Sequence, residues 1–203
     1  AEIGELGDNT RVMRQAIERD DLLRRALSNP EARVTVLGHT RWASVGIISE
    51  PNAHPVNGEE LPETAPDGRA SASGPFVVGV LNGDVDNHAD LRVAHGLRVA
   101  GPITTDAKVI PTLVARHRQH GTDLVEAFRR TVASFDGSVA IGVAAADHPG
   151  RMMLALHGSG QGVYIGLGDD RFVVASEPYG VVEETSRYVR LDGEHGGQVV
   201  ALD

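Results

Sequence analysis

The sequence predicts an α+β protein built from stacked layers of helix and sheet. Three observations carry that expectation. Most of the chain ahead of residue 138 offers apolar residues at helical spacing behind capping residues, in "DNTRVMRQAIERDDLLRRAL", "HADLRVAHGL" and "DLVEAFRRTVASF". From residue 138 onward the texture changes to short β-type runs, "SVAIGVAAA", "RMMLAL", "GVYIGL", "RFVVAS", "RYVRL" and "QVVAL", parted by Gly and Asp turns. Helices first and hairpins later fit stacked layers better than a parallel βαβ series. With 203 residues the chain is long enough to bury a hydrophobic core, and one domain over 1–203 is the natural expectation.

The elements follow in order. Residues 8–28 predict one helix or two short ones, with Asp8 or Asn9 as cap and Val12, Met13, Ala16, Ile17, Leu23 and Leu27 on an apolar side. "RVTVL" (33–37) alternates and ends at Gly38, which predicts a strand delivering "GHTRWAS" to a loop. The stretch 50–75 is rich in Pro, Gly, Ser and acids and has no period, so it reads as a long surface loop. "FVVGVLNGDVDN" (76–87) predicts a buried strand, with Asn87 as N-cap of the next helix. After "ITTD", Val109, Ile110, Leu113, Val114 and His117 share a face of a helix that stops at Gly121, and Pro111 predicts a kink or a late start. Asp123 and Glu126 stand at capping-box spacing for the helix that follows, with Gly137 as its stop.

Composition limits the function. A formal net charge of -9 and a pI near 5.4 argue against a nucleic-acid binder, whose affinity needs clustered Lys and Arg. There is no cysteine, which removes disulfides, thiolate metal sites and thiol nucleophiles together. No apolar run approaches the roughly 18 residues of a membrane span. The start "AEIGELGDN" has neither the basic flank nor the apolar core of a signal peptide, so the expectation is a soluble cytoplasmic protein. No pair of histidines shows the i, i+4 spacing of a helical metal site, and neither metal nor cofactor is expected.

Several residues could carry chemistry. Arg41 presents a planar fork that can hold both oxygens of a carboxylate. Asp106, at a helix start, could hold an ammonium, so the two together would recognise the ends of a free amino acid. Asn82-Gly83 follows a buried strand, where glycine lets backbone approach a ligand and the Asn amide with an adjacent N–H can stabilise an oxyanion. Each also has a plain reading. Asn-Gly is a common turn, Asp106 suits a helix start, Arg41 suits a surface ion pair, and Trp42 suits packing at a strand end. His39 and His54 fit hydrogen-bonded structural roles as well as catalytic ones.

The order of the pieces narrows these alternatives. "GHTRWAS.G...EPNAHP", "NGDVDNHADLR", "TTDAKVI", "GSVAIGV" and "GLGDDRFVVASEP" together resemble the glutaminase domain of class II glutamine amidotransferases, in the wording of the glucosamine-6-phosphate synthase (glutamine:fructose-6-phosphate amidotransferase) branch. The resemblance runs from about residue 33 to the C-terminus, and "HTRWA" with "NAHP" is its specific part. It implies an N-terminal-nucleophile hydrolase fold, a four-layer α-β-β-α sandwich. In the family an N-terminal Cys attacks the glutamine side-chain amide, with its own α-amino group as base, and ammonia leaves through a thioester. On matching positions, the resemblance implies that Arg41 binds the α-carboxylate and Asp106 the α-amino group of L-glutamine. It implies that Asn82 and Gly83 form the oxyanion hole, that Trp42 helps close the site, and that Ser44 keeps a hydroxyl beside the substrate. Ammonia would pass to a sugar-phosphate isomerase domain for amino sugar biosynthesis, and no trace of that domain is present in the chain. A homo-oligomer is compatible with the sequence.

The departures from the family pattern are specific. "WATHG" is "WASVG" here, so Val45 replaces a histidine that helps hold glutamine; "HNG" is "LNG", with Leu81; and the Glu of "TDTE" is Lys108, which reverses a charge near the expected ammonium site. The Cys-Gly strand that opens family members is not found ahead of "HTRW". The expectation is an N-terminally incomplete domain, lacking its first strand or strands and inactive as a glutaminase. The rival expectation keeps the scaffold as a non-catalytic amino-acid-sensing or interaction module.

Overall fold

The structure, a computed structural model, describes residues 8–40, 45–62 and 74–203. Two short helices open it, Asp8–Arg19 (α1) and Asp21–Leu27 (α2), and Asp20 marks the break. The Asp20 carboxylate accepts the Leu23 N–H at 2.9 Å and caps α2. Neither helix buries a residue, so the apolar side of Met13, Ile17 and Leu27 is exposed.

The expected strand at 33–37 is corrected. These residues are not assigned to a strand, and Val34 and Val36 are 56% and 79% exposed. Alternation prepares a strand, but a ladder also needs a neighbouring edge, and none of the described strands pairs with this segment. Leu37 instead lies over Gly142, its Cδ1 3.1 Å from where a Cβ would stand. The long loop is only partly irregular, because it holds a 3-10 turn at Glu50–Asn52 and a two-residue strand, Val56–Asn57 (β1).

The central strand is Val77–Val85 (β2), followed by helices His88–Ala94 (α3), Val109–Gln119 (α4) and Leu124–Ala133 (α5). Pro111 is the third residue of α4, where the missing N–H has no intrahelical partner to lose, so the expected late start is found without a kink. Asp123 caps α5 through the Glu126 N–H at 3.1 Å, while the Glu126 carboxylate serves Arg129 and Arg130 and not the cap. α5 stops at Ala133, short of Gly137. Asn87 makes no capping bond; its amide donates to Ser134 O at 2.9 Å and accepts from Asp136 N–H at 3.1 Å, tying the end of β2 to the end of α5.

Gly137–Ala145 (β3), Met152–His157 (β4), Tyr164–Leu167 (β5), Phe172–Ala175 (β6), Tyr188–Arg190 (β7) and Gln198–Leu202 (β8) realise the six predicted β-runs. They form two antiparallel sheets, ordered β1-β2-β3-β4-β8 and β6-β5-β7. β2 and β3 pair along their whole length, from Val77 opposite Ala145 to Val85 opposite Gly137.

Alternation along the strands explains the layers. Val77, Leu81, Val139, Ile141, Val143 and Met153 face Ile110, Leu113, Val114, Leu124 and Phe128 of α4 and α5. Full burial of such side chains contributes roughly 1.5–3 kcal/mol each. The intervening residues Ala140, Leu154 and Leu156 face Val163, Ile165 and Leu191 of the second sheet and its flanks. On that sheet's outer side lies Tyr179–Val182 (α6), whose Val181 occupies the space that a Cβ on Gly166 would need. The order is helix, sheet, sheet, helix, the α-β-β-α sandwich that the family resemblance implies. No helix among the described residues is long and apolar enough to cross a membrane.

Candidate functional site

A cavity of about 1640 Å³ opens between the two sheets and runs from β2 across β3 and β4 to the end of β8. Asn82 and Gly83 reach it from β2, Thr105 and Asp106 from the turn leading into α4, His54 from the "NAHP" loop, and Val45 from the segment after Arg41. The burial pattern of β2 shows why Asn82 faces it: Val77, Gly79, Leu81 and Val85 turn to the helices, so the alternate residues turn the other way. Gly83 has φ 108°, and a Cβ there would stand 2.0 Å from Ser138 O. Only glycine lets β2 keep both that backbone shape and its pairing with β3.

Asp106 is 3% exposed and opens the 3-10 turn Asp106–Lys108. Its Oδ2 accepts the Val85 N–H at 2.9 Å, and its Oδ1 faces the Thr105 hydroxyl at 3.4 Å. Arg92 of α3 donates to Thr105 O at 2.9 Å. Burial pushes the Arg92 guanidinium down, and the nearby Asp106 carboxylate opposes that shift.

Asn52 organises the other side. Fully buried, its Oδ1 accepts the backbone N–H groups of Thr104 and Thr105 at 2.8 and 2.9 Å. Its Nδ2 donates to Ile47 O, Ser49 Oγ and Thr104 Oγ1 at 3.0 to 3.1 Å. His54 stands between the loop and the strand. Its Nδ1 lies 3.5 Å from the Leu81 N–H, its Nε2 3.5 Å from Thr105 Oγ1, and its ring centroid 4.7 Å from that of His39.

The charge reversal expected at Lys108 lands elsewhere. Lys108 is 1% exposed and its Nζ donates to Asn57 O at 2.6 Å, Glu59 O at 2.7 Å and Asn57 Oδ1 at 3.1 Å. Those three acceptors match its three N–H donors, so the ammonium is committed to the 57–59 loop. Burial lowers its pKa, with Glu59 and Glu60 opposing. Burial alone would raise the Glu60 carboxyl, but Arg116, bonded at 2.7 and 2.9 Å, and the Arg98 N–H hold it below the usual range.

Of the residues singled out from sequence, Asn82, Gly83 and Asp106 meet at one cavity. Arg41, Trp42 and Ser44 lie outside the described residues, although His39, Thr40 and Val45 on either side of them line the same space. Leu81 is packed in the core between sheet and helices. Sequence reasoning missed Asn52, Thr105 and Arg92. The signals were in "NAHP", "TTD" and "DLR", but Asn52 and Arg92 act on the backbone of Thr104 and Thr105, remote from either in sequence, and Thr105 acts on the side chains of Asp106 and His54.

No protein-family model matches the chain. By sequence it is 35% identical over 172 residues to the glutamine–fructose-6-phosphate aminotransferase (isomerizing) of Geobacillus kaustophilus, covering 84% of this chain and 26% of that protein. It is 35% identical over 162 residues to the enzyme of the same name from Gloeobacter violaceus, covering 78% and 24%. The chain therefore spans about a quarter of the length of these curated relatives. By structure it is similar to the glutamine phosphoribosylpyrophosphate amidotransferase of Bacillus subtilis, with a TM-score of 0.55 at 21% identity over 80% of this chain and 33% of that one. A second solved structure, described as the allosteric regulatory enzyme of purine biosynthesis, gives a TM-score of 0.52 at 19% identity over 74% and 29%. The chain is a homologue of part of the glutamine–fructose-6-phosphate aminotransferases and carries the N-terminal-nucleophile fold of the glutamine amidotransferases.

Proposed function

We propose that the chain is a glutaminase-type domain of a glucosamine-6-phosphate-synthase-like protein and that its inter-sheet cavity binds L-glutamine. The observation that carries this is the convergence of Asn82, Gly83 and Asp106 on one cavity from β2 and the α4 turn. Asp106 takes the α-amino group, as a buried carboxylate suits an ammonium. Arg41 takes the α-carboxylate, and Trp42 and Ser44 complete that end. Asn82, whose amide makes no hydrogen bond to another described residue, points to the side-chain amide carbonyl, with Gly83 beside it supporting an oxyanion. In a full-length protein of this family, released ammonia would aminate a sugar phosphate such as fructose 6-phosphate on an isomerase domain. Hydrolysis requires a nucleophile next to a base, and the 203 residues hold no cysteine, so the activity proposed for this chain itself is binding.

The test is calorimetric titration with L-glutamine and L-glutamate. Losing Asp106 (Asp106→Asn) or Arg41 (Arg41→Ala) removes a charge-assisted contact and is expected to weaken L-glutamine binding about 10-fold to 100-fold. A wild-type chain that binds neither amino acid would sink the reading.

A further inference from the structure

A carboxylate selects an ammonium only if it is held in one place, and the support of Asp106 comes from two side chains outside the cavity wall. Asn52 grips Thr104 and Thr105 from the loop side through two accepted N–H bonds and a donated bond to Thr104 Oγ1. Gly46 lets the same loop close in, since its φ is 84° and a Cβ there would meet Thr104 Oγ1 at 2.9 Å. Arg92 grips Thr105 from the helix side through its carbonyl, and the nearby Asp106 carboxylate favours the charged guanidinium. With the Val85 N–H on Oδ2, the residue before Asp106 is fixed at both its N–H and its C=O, and the carboxylate is fixed by the strand. Neither Asn52 nor Arg92 lines the cavity.

We propose that Asn52 and Arg92 are positioning residues that set the selectivity of the site for a ligand bearing an α-amino group, acting through the Thr104–Thr105 backbone on Asp106. The proposal rests on the reading of Asp106 as the ammonium acceptor. It is distinct from a general stabilising role, because it assigns to both residues an effect on one end of the ligand. Asn52, with two N–H donors shared among three acceptors and an oxygen that accepts twice, does what an Asp could do only in part, since a carboxylate would accept both N–H groups and donate to nothing. A Lys at 92 would keep the charge near Asp106 and lose the planar donor that meets the Thr105 carbonyl.

The experiment compares L-glutamine with 4-carbamoylbutanoate, the same molecule without its α-amino group, by calorimetric titration of the chain. The wild-type preference for L-glutamine is expected at about 10-fold or more, the size of one charge-assisted contact. Asn52→Ala and Arg92→Met are expected to bring that preference close to the one shown by Asp106→Asn, while affinity for 4-carbamoylbutanoate stays within about 2-fold, since distant sites leave other contacts unchanged. Arg92→Lys should restore part of the preference. Amide exchange across β3 reports that the sheet is intact, and Asn52→Asp and Arg92→Lys replace any variant that fails this check. If both ligands weaken equally, the ratio stays put and the two residues are merely structural, which overturns the proposal and leaves the amino-acid site standing. If the wild-type chain shows no preference for the amino-bearing ligand, or binds neither, the assignment of Asp106 fails and the positioning proposal falls with it.

Discussion

Lys108 is a buried cation whose three N–H donors all end on oxygens of the 57–59 loop, at Asn57 O, Asn57 Oδ1 and Glu59 O. Next to "TTDA" its charge reads as a change to the ligand site, yet the fold turns its ammonium onto the 57–59 backbone. The sequence cannot show this, because the acceptors are carbonyls some fifty positions away and carbonyls carry no residue signature. By contrast the meeting of Asn82, Gly83 and Asp106 at one cavity was legible in short motifs, an Asn-Gly pair beside an apolar run and an Asp at a helix start, although Asn82 and Gly83 lie inside β2 and not after it. Asn52 was less so: a fully buried amide reads like any loop Asn until its partners at 104 and 105 are known. Replacing Lys108 by Met leaves three acceptors of the loop without their donor. The expected loss is about 3 kcal/mol of unfolding free energy, from buried acceptors left unpaired after losing a charged partner, measured by urea denaturation. A loss under about 0.5 kcal/mol, the range of ordinary surface substitutions, would show that water replaces the ammonium there.

Helices and strands that supply their own signals were the most legible elements. α4 and α5 follow from helical spacing with Pro111 and Asp123 at their starts, and β2 to β5 from apolar runs between turns. The segment 33–37 was misread because a strand is a property of a pair, and alternation describes only one member. α6 was missed because four residues including Gly180 make no period; it exists because Val181 fits the bare surface at Gly166. On α5 the first and last turns are tied by charge. Hydrogen bonds from Arg129 and Arg130 lower the Glu126 carboxyl to about 2. A carboxyl depressed in the folded state stabilises above its ordinary pKa, and that contribution fades as the pH drops from about 4.5 through about 2. The contribution is small, because the group is exposed and screened. A carboxyl-resonance titration is expected to place Glu126 at about 2 in the wild type and back near 4.5 when Arg129 and Arg130 are both Ala. An unchanged midpoint in the double variant would show that the two arginines are not its cause.

At the scale of the whole molecule, the sandwich was legible as layers and its family as a string of motifs, while the width of the space between the sheets was not, since a cavity is made by what several elements leave unfilled. The chain, which matches about a quarter of the length of a larger aminotransferase, holds two sheets with helices packed outside each. The bonds from Asn52 to Thr104 and Thr105 have a kinetic consequence. They close a length of chain that contains β1, β2 and α3, and β2 itself must first find β3. Closing such a loop costs entropy that only the finished sheet repays, so this clasp forms late. What forms last on a scaffold already complete can also open first, without melting the rest. The amides of Thr104 and Thr105 are expected to exchange with deuterium well ahead of those of Ile141 and Val143, and equal rates would mean that clasp and sheet open together. Breathing of this kind would loosen the Thr104–Thr105 backbone beside Asp106 on a timescale set by one amide side chain, while the two sheets stay closed against each other.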